Sequence, residues 1–110
     1  MVVSSQSWDE ICATYRQNQQ LSPMLQLAEL LSSPLYKERF YGYIFIEGLV
    51  ICAYSAFELF SNTLHFDYDT ELNKFNCGWY TGNKREWGIS IPADDMMSSA
   101  DQIIKKVTWY

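Results

Sequence analysis

His65 is the single histidine of the chain, so any serine or cysteine nucleophile working near neutral pH would have to borrow its base from that position. Neither a GxSxG elbow nor a cysteine in a comparable local setting accompanies it. His65 is therefore expected as a half-exposed strand residue beside Asp67, and not as a general base. Asp67-x-Asp69-x-Glu71 spaces carboxylates two residues apart, as the opening of a calcium loop does, because hard cations are held by clustered oxygens. The pattern then fails, with Leu72 where the loop needs glycine and Gly78 where it needs its closing glutamate. Gly78, Gly82 and Lys84 share only composition with a phosphate-binding loop, since Arg85 follows the lysine where Ser or Thr would hold magnesium. Cys12, Cys52, Cys77 and His65 lack the short spacings of a zinc site. Glu47 and Glu58, the acids in apolar surroundings, read as a turn carboxylate and a solvent-facing one, not as an acid–base pair. Taken together, these residues give no catalytic site, no metal site and no cofactor, and the chain is expected not to be an enzyme.

The carboxylates can do something else. Between Arg39 and Lys74 stand Glu47, Glu58, Asp67, Asp69 and Glu71 with no Lys or Arg, so this window carries the whole formal charge of −5. The eight remaining acids balance the eight bases. On a strand, Asp67 and Asp69 share the face opposite Phe66 and Tyr68, and Asn76 and Tyr80 occupy the outward face of the next strand. Asp67, Asp69, Glu71, Asn76 and Tyr80, with Glu47, form the expected partner-binding set. Such a surface repels nucleic acid and anionic membranes, and it attracts a basic protein by electrostatic steering while the aromatic ring supplies contact area.

Those residues need elements to hold them. Ser7-Trp8-Asp9-Glu10 is a capping box that starts a helix at Trp8, with Ile11, Cys12 and Tyr15 on its apolar stripe. Ser22-Pro23 opens a second helix that Ser33-Pro34 closes, which makes a helical hairpin. Tyr43–Ile46 and Leu49–Cys52 around Glu47-Gly48 read as a tight β-hairpin, while a helix over 48–64 also fits the apolar spacing. Leu64, Phe66, Tyr68, then Phe75, Cys77, Trp79, then Trp87, Ile89, Ile91 alternate with polar residues and predict an antiparallel meander. The inward residues should all be buried. Asp94, Asp95, Ile103, Ile104 and Val107 with Lys105-Lys106 describe a closing helix. The class is α+β: an N-terminal helical hairpin, an antiparallel β-meander and a C-terminal helix packed on one face of the sheet.

Composition agrees with one self-sufficient domain, 1–110, since hydrophobic residues make up 48% of the 110. Three widely spaced cysteines without a CxxC are expected as small buried hydrophobes, and the first ten residues lack the basic and apolar regions of a secretory signal. The expected compartment is the cytoplasm. The apolar stretch Phe40 to Leu64 is interrupted by Glu47 and Glu58, which argues against a membrane span.

In size, charge and aromatic α+β make-up the chain resembles the small acidic immunity proteins of bacterial toxin systems, including those of contact-dependent growth inhibition. Asp67, Tyr68, Asp69, Glu71, Trp79 and Tyr80 carry the likeness, which extends loosely over the whole chain without a shared motif. Phage-encoded inhibitors of nucleic-acid-binding complexes look similar by the same criteria. The resemblance implies an inhibitor of a basic toxin domain, often a nuclease, that works by covering its active site. A structural or homodimer-forming subunit and a small-ligand module with an aromatic-lined pocket are the alternative readings.

Overall fold

A computed structural model of the chain describes residues 2–107. After a short strand β1 (Val2–Ser4), helix α1 (Trp8–Arg16) begins where the capping box requires. Ser7 Oγ accepts the Glu10 amide at 3.1 Å and donates to the Glu10 carboxylate at 3.0 Å, which satisfies one amide that the first turn would leave orphaned. A 3-10 turn (Gln19–Leu21) leads into α2 (Ser22–Leu31), where Pro23 sits in the first turn and loses no intrahelical bond. Ile11, Cys12 and Tyr15 of α1 and Met24, Leu27, Ala28 and Leu31 of α2 are buried, as is Tyr36 in the loop that follows.

The remainder of the chain builds the sheet. Strands β2 (Tyr41–Phe45), β3 (Gly48–Cys52), β5 (Thr63–Asp69), β6 (Lys74–Thr81) and β7 (Lys84–Pro92) form one antiparallel sheet in the order β2-β3-β5-β6-β7. A separate ribbon pairs β1 with β4 (Ala56–Glu58). The chain is α+β, with helices before the meander and α3 (Ala93–Lys105) closing it on the sheet. Residues 48–64 hold β3, the short β4 and the start of β5 joined by turns, not a helix, because Leu49, Val50 and Ile51 pair on both sides in a central strand where every residue is buried. β-branched residues suit that environment better than a helix turn.

The helices cover one face. Leu49, Ile51, Leu64, Phe66, Phe75, Cys77, Trp79 and Ile91 meet Ile11, Leu27, Leu31, Met96, Ile103 and Ile104 in a single core. The expected inward set holds in the centre and thins at the edge. Tyr68 and Trp87 are only half-buried and Ile89 is 40% exposed. β7 is an edge strand, and Trp87 there is covered by Lys106, whose ammonium lies 5.0 Å from the ring centre.

The opposite face differs from expectation. The β1–β4 ribbon and the 59–60 segment roof half of it, forming a second cluster of Val3, Val50, Cys52, Phe57 and Leu59, with Tyr43, Phe45 and Phe60 packed alongside. His65 lies beneath this roof at 8% exposure and Thr63 at 0%, so the half-exposed histidine expected beside Asp67 is instead a core residue. Its Nε2 is 2.8 Å from the Leu59 carbonyl, which only accepts, so that nitrogen carries the proton. Phe60 stacks on the imidazole at 5.1 Å and Tyr80 tilts against it at 4.5 Å. Three-residue strands carry too little alternation to give a signal in the sequence, which is why the ribbon is not legible there.

Two hairpin turns of the same shape differ sharply in sequence. Phe45 pairs with Gly48 and Thr81 with Lys84, leaving two-residue loops at Ile46-Glu47 and Gly82-Asn83. All four residues have positive φ: 48° and 67° in the first loop, 54° and 65° in the second. Gly and Asn take that conformation readily, whereas an L-residue with a β-carbon loses about 1–2 kcal/mol there and a β-branched one is an outlier.

Burial pushes the pKa of His65 below its ordinary value of 6.5. The unfolded chain then takes up a proton where the folded protein resists it, so stability present above about pH 6.5 is lost on acidification. Asp67, whose pKa is raised by burial, acts in the opposite sense and gains stability as pH falls. Melting temperature followed from pH 7.5 to pH 5 should therefore fall less steeply in His65→Gln than in the wild type. Parallel curves would mean that the imidazole does not titrate in the folded state as its burial requires. In the main core, Phe66→Ala should cost about 3–5 kcal/mol in denaturant unfolding, since the ring is fully enclosed.

Candidate functional site

Antiparallel register sends the β2–β3 turn, the β5–β6 turn and the start of α3 to the same end of the sheet. The Ala93 amide donates to the Asn73 carbonyl at 3.0 Å and ties the last two together. Segments 46–48, 67–74 and 92–95, which make up this end, contain Glu47, Asp67, Asp69, Glu71, Asp94 and Asp95 against Lys74. Within these segments six carboxylates stand against one ammonium, and Arg85 of β7 adds a second positive charge near Asp67, which leaves the end acidic.

Asp67 lies on the outward face of β5, directly across from Gly48, and a β-carbon at Gly48 would occupy the space of its carboxylate. Glycine is thus what admits the acid to that position. Although Asp67 reaches solvent, the protein packed around its carboxylate raises its pKa, against a smaller opposing pull from Arg85. Tyr15 connects α1 to the same place by donating its hydroxyl to the Glu47 carbonyl at 2.9 Å. Burial raises the pKa of that phenol, and the charges of Asp67 and Glu47 add to the effect. Glu47 itself points a free side chain from the exposed turn.

Asp69 has a different task, since Oδ1 accepts the amides of Glu71 at 2.9 Å and Leu72 at 3.1 Å and so closes the turn. Glu71 is exposed on that turn. Asn76 stands opposite Asp67 in the register, and Ser90 donates to its Oδ1 at 2.7 Å. Tyr80 is four residues further along β6, roughly 13 Å away at strand rise, and is held half-buried against His65 and Phe60. Of the six residues expected from the sequence, Glu47, Asp67 and Glu71 therefore gather at the acidic end. Asn76 borders it, Asp69 braces it, and Tyr80 belongs to the roofed half of the sheet.

Three residues were missed. Arg85 stands opposite Tyr80 on β7, and its guanidinium lies across Gly78 and Gly88, where a β-carbon at Gly88 would collide with it and one at Gly78 would crowd it at 3.0 Å. The flat outward face is consequently of mixed charge, and only the sheet end is acidic. A window along the chain cannot show this, because Arg85 comes from a strand beyond the window. Ile46 and Leu72, 81% and 64% exposed, occupy the two turns of the acidic end, and isolated hydrophobic residues in turns give no periodic signal.

Other chemistry is placed as follows. Cys12, Cys52 and Cys77 are buried thiols whose pKa burial raises, to about 12 at Cys77, which removes the thiolate needed for nucleophilic attack. Among the described residues no three His, Cys, Asp or Glu side chains gather as a metal site, and no helix is long and apolar enough to cross a membrane. A half-open pocket of about 180 Å3 lies between Phe45, Glu58, Leu59, Phe60 and Asn83. Comparison with protein families, with curated proteins and with solved structures finds no match to this chain.

Proposed function

We propose that the chain is an inhibitory binding protein, most simply an immunity protein, that neutralises a basic toxin domain of nuclease type by covering its active site. The observation that carries this reading is the sheet end at which Glu47, Asp67, Asp69, Glu71, Asp94 and Asp95 gather against Lys74 and the charge of Arg85 that acts on Asp67. A nuclease must gather phosphates, so its cleft is lined with Lys and Arg. Projecting turns rich in carboxylate offer such a cleft the charge of its substrate on a body too broad to pass through. Steering by those charges accelerates encounter, and pairing at the rim excludes acidic competitors.

The test uses the protein captured from the native host, or the product of an adjacent toxin reading frame, as the binding partner. Asp67 and Glu71 are the residues to reverse, because Asp69 holds its turn and would confound binding with folding. Asp67→Lys with Glu71→Lys should weaken binding on the order of 100-fold or more, with circular dichroism unchanged, as like charges now oppose. The wild-type association rate should fall as salt rises past the 8–10 Å screening length, while the dissociation rate moves little. Full affinity in the folded double-lysine protein would remove the acidic end as the interface. A native mass of two copies with no basic partner would favour the oligomer-forming subunit instead.

A further inference from the structure

We infer that Ile46 and Leu72 are the apolar anchors of this interface and insert into an apolar recess on the basic partner, a step that rests on the binding function proposed above. Ile46 is the most exposed large hydrophobic residue described, at 81%, and it occupies a left-handed position with φ 48°. Nothing inside the fold rewards it there. The equivalent loop at the other end of the sheet uses Gly82-Asn83 for the same geometry, so the backbone has no need of isoleucine. Leu72 stands on the neighbouring turn at 64% exposure.

Both turns are held before any partner arrives. The Tyr15 hydroxyl grips the Glu47 carbonyl at 2.9 Å, and Asp69 closes the Leu72 turn at 3.1 Å. The Tyr68 hydroxyl donates to Asn73 Oδ1 at 2.5 Å on the same turn. Anchors on fixed turns lose little conformational entropy when they dock.

Charge complementarity identifies the occupant. Glu47 follows Ile46 in the chain, Asp67 lies over Gly48, and Glu71 precedes Leu72, so each apolar tip is flanked by carboxylate. A second copy brought tip to tip would set those carboxylates against one another, whereas a recess rimmed by Lys and Arg would pair with them while the apolar side chains leave water. The partner is therefore a basic protein that presents such a recess.

Two measurements decide the matter. First, p-benzoylphenylalanine is placed at position 46, or at Leu35 in the loop after α2 as an exposed control, and irradiated in the native host. One discrete adduct with a basic protein is expected at 46 and none at 35. Equal labelling at both positions, or an adduct with the mass of two copies, overturns the inference.

Second, Ile46→Asn is compared with the wild type against the protein identified in that adduct. Asparagine tolerates the left-handed backbone, so the melting temperature should rise by about 3–8 °C. Dissociation should quicken about 10-fold or more as the anchor is lost. Greater stability with unchanged dissociation overturns the anchor role. If Asp67→Lys with Glu71→Lys releases the partner while Ile46→Asn keeps it, the anchor role alone falls. If both variants keep it, the binding function proposed for this end falls as well.

Discussion

Alternation along β5 and β6 governs where every residue of interest ends up. Leu64 pairs with Trp79, Phe66 with Cys77 and Tyr68 with Phe75, and the first two pairs and Phe75 are shut beneath the helices. Because side chains on a strand alternate, enclosing this set leaves Asp67, Asn76 and Gly78 no position but the other face. A slip of one residue would drive the Asp67 carboxylate under the helices and lift Phe66 into water. Burial of each large apolar side chain contributes about 1.5–3 kcal/mol, so the slipped register loses several such terms and gains a buried charge. The register is fixed by packing, and the acidic end inherits its geometry from that.

The face turned away from the helices is divided between a roofed apolar half and an open half that carries charge. Over one half the β1–β4 ribbon brings Val3, Phe57 and Leu59 down on Val50 and Cys52. The polar residues trapped beneath are satisfied at short range: Thr63 Oγ1 donates to the Leu59 carbonyl at 2.8 Å and His65 Nε2 reaches the same oxygen. The imidazole thus commits a proton to a backbone carbonyl, and burial lowers its basicity. Over the other half glycines open the surface. Gly48 makes room for the Asp67 carboxylate, and Gly88 lets Arg85 lie flat across the sheet. Where the chain keeps side chains, that face is sealed, and where it omits them, charged groups come to rest.

Local signals in the sequence were read with good fidelity and long-range ones were not. The capping box at Ser7, Pro23 in the first turn of α2, and Asp94 and Asp95 in the first turn of α3 are contacts between near neighbours, and each marks its element directly. The β2–β3 hairpin and the three-strand meander followed from alternation, which is likewise local. Burial of His65 depends on a roof formed by residues near 3 and near 57, and nothing in the residues around position 65 announces it. The candidate site divides in the same way. Glu47, Asp67 and Glu71 come together at one sheet end, and their charge is legible in the sequence because it is concentrated in one stretch of chain. Arg85 was missed because its place over Gly78 depends on β6–β7 pairing with a bulge between Trp79 and Tyr80.

The β2–β3 turn sets local preference against the global fold. A two-residue loop of this hand is the shortest link between antiparallel strands, and it requires positive φ at both positions whatever residues stand there. Natural sequences tend to agree with themselves across levels, and disagreement concentrates where another demand outweighs stability. Ile46-Glu47 disagrees at both positions, while Gly82-Asn83 resolves the same geometry without conflict. The fold tolerates the strain because Tyr15, enclosed in the main core, holds the Glu47 carbonyl, and because β3 beyond the turn is buried along its whole length. A loop secured from both sides can carry a side chain chosen for something other than folding. That is the physical ground for proposing that the exposed isoleucine beside a carboxylate is a contact surface and not a flaw in the turn.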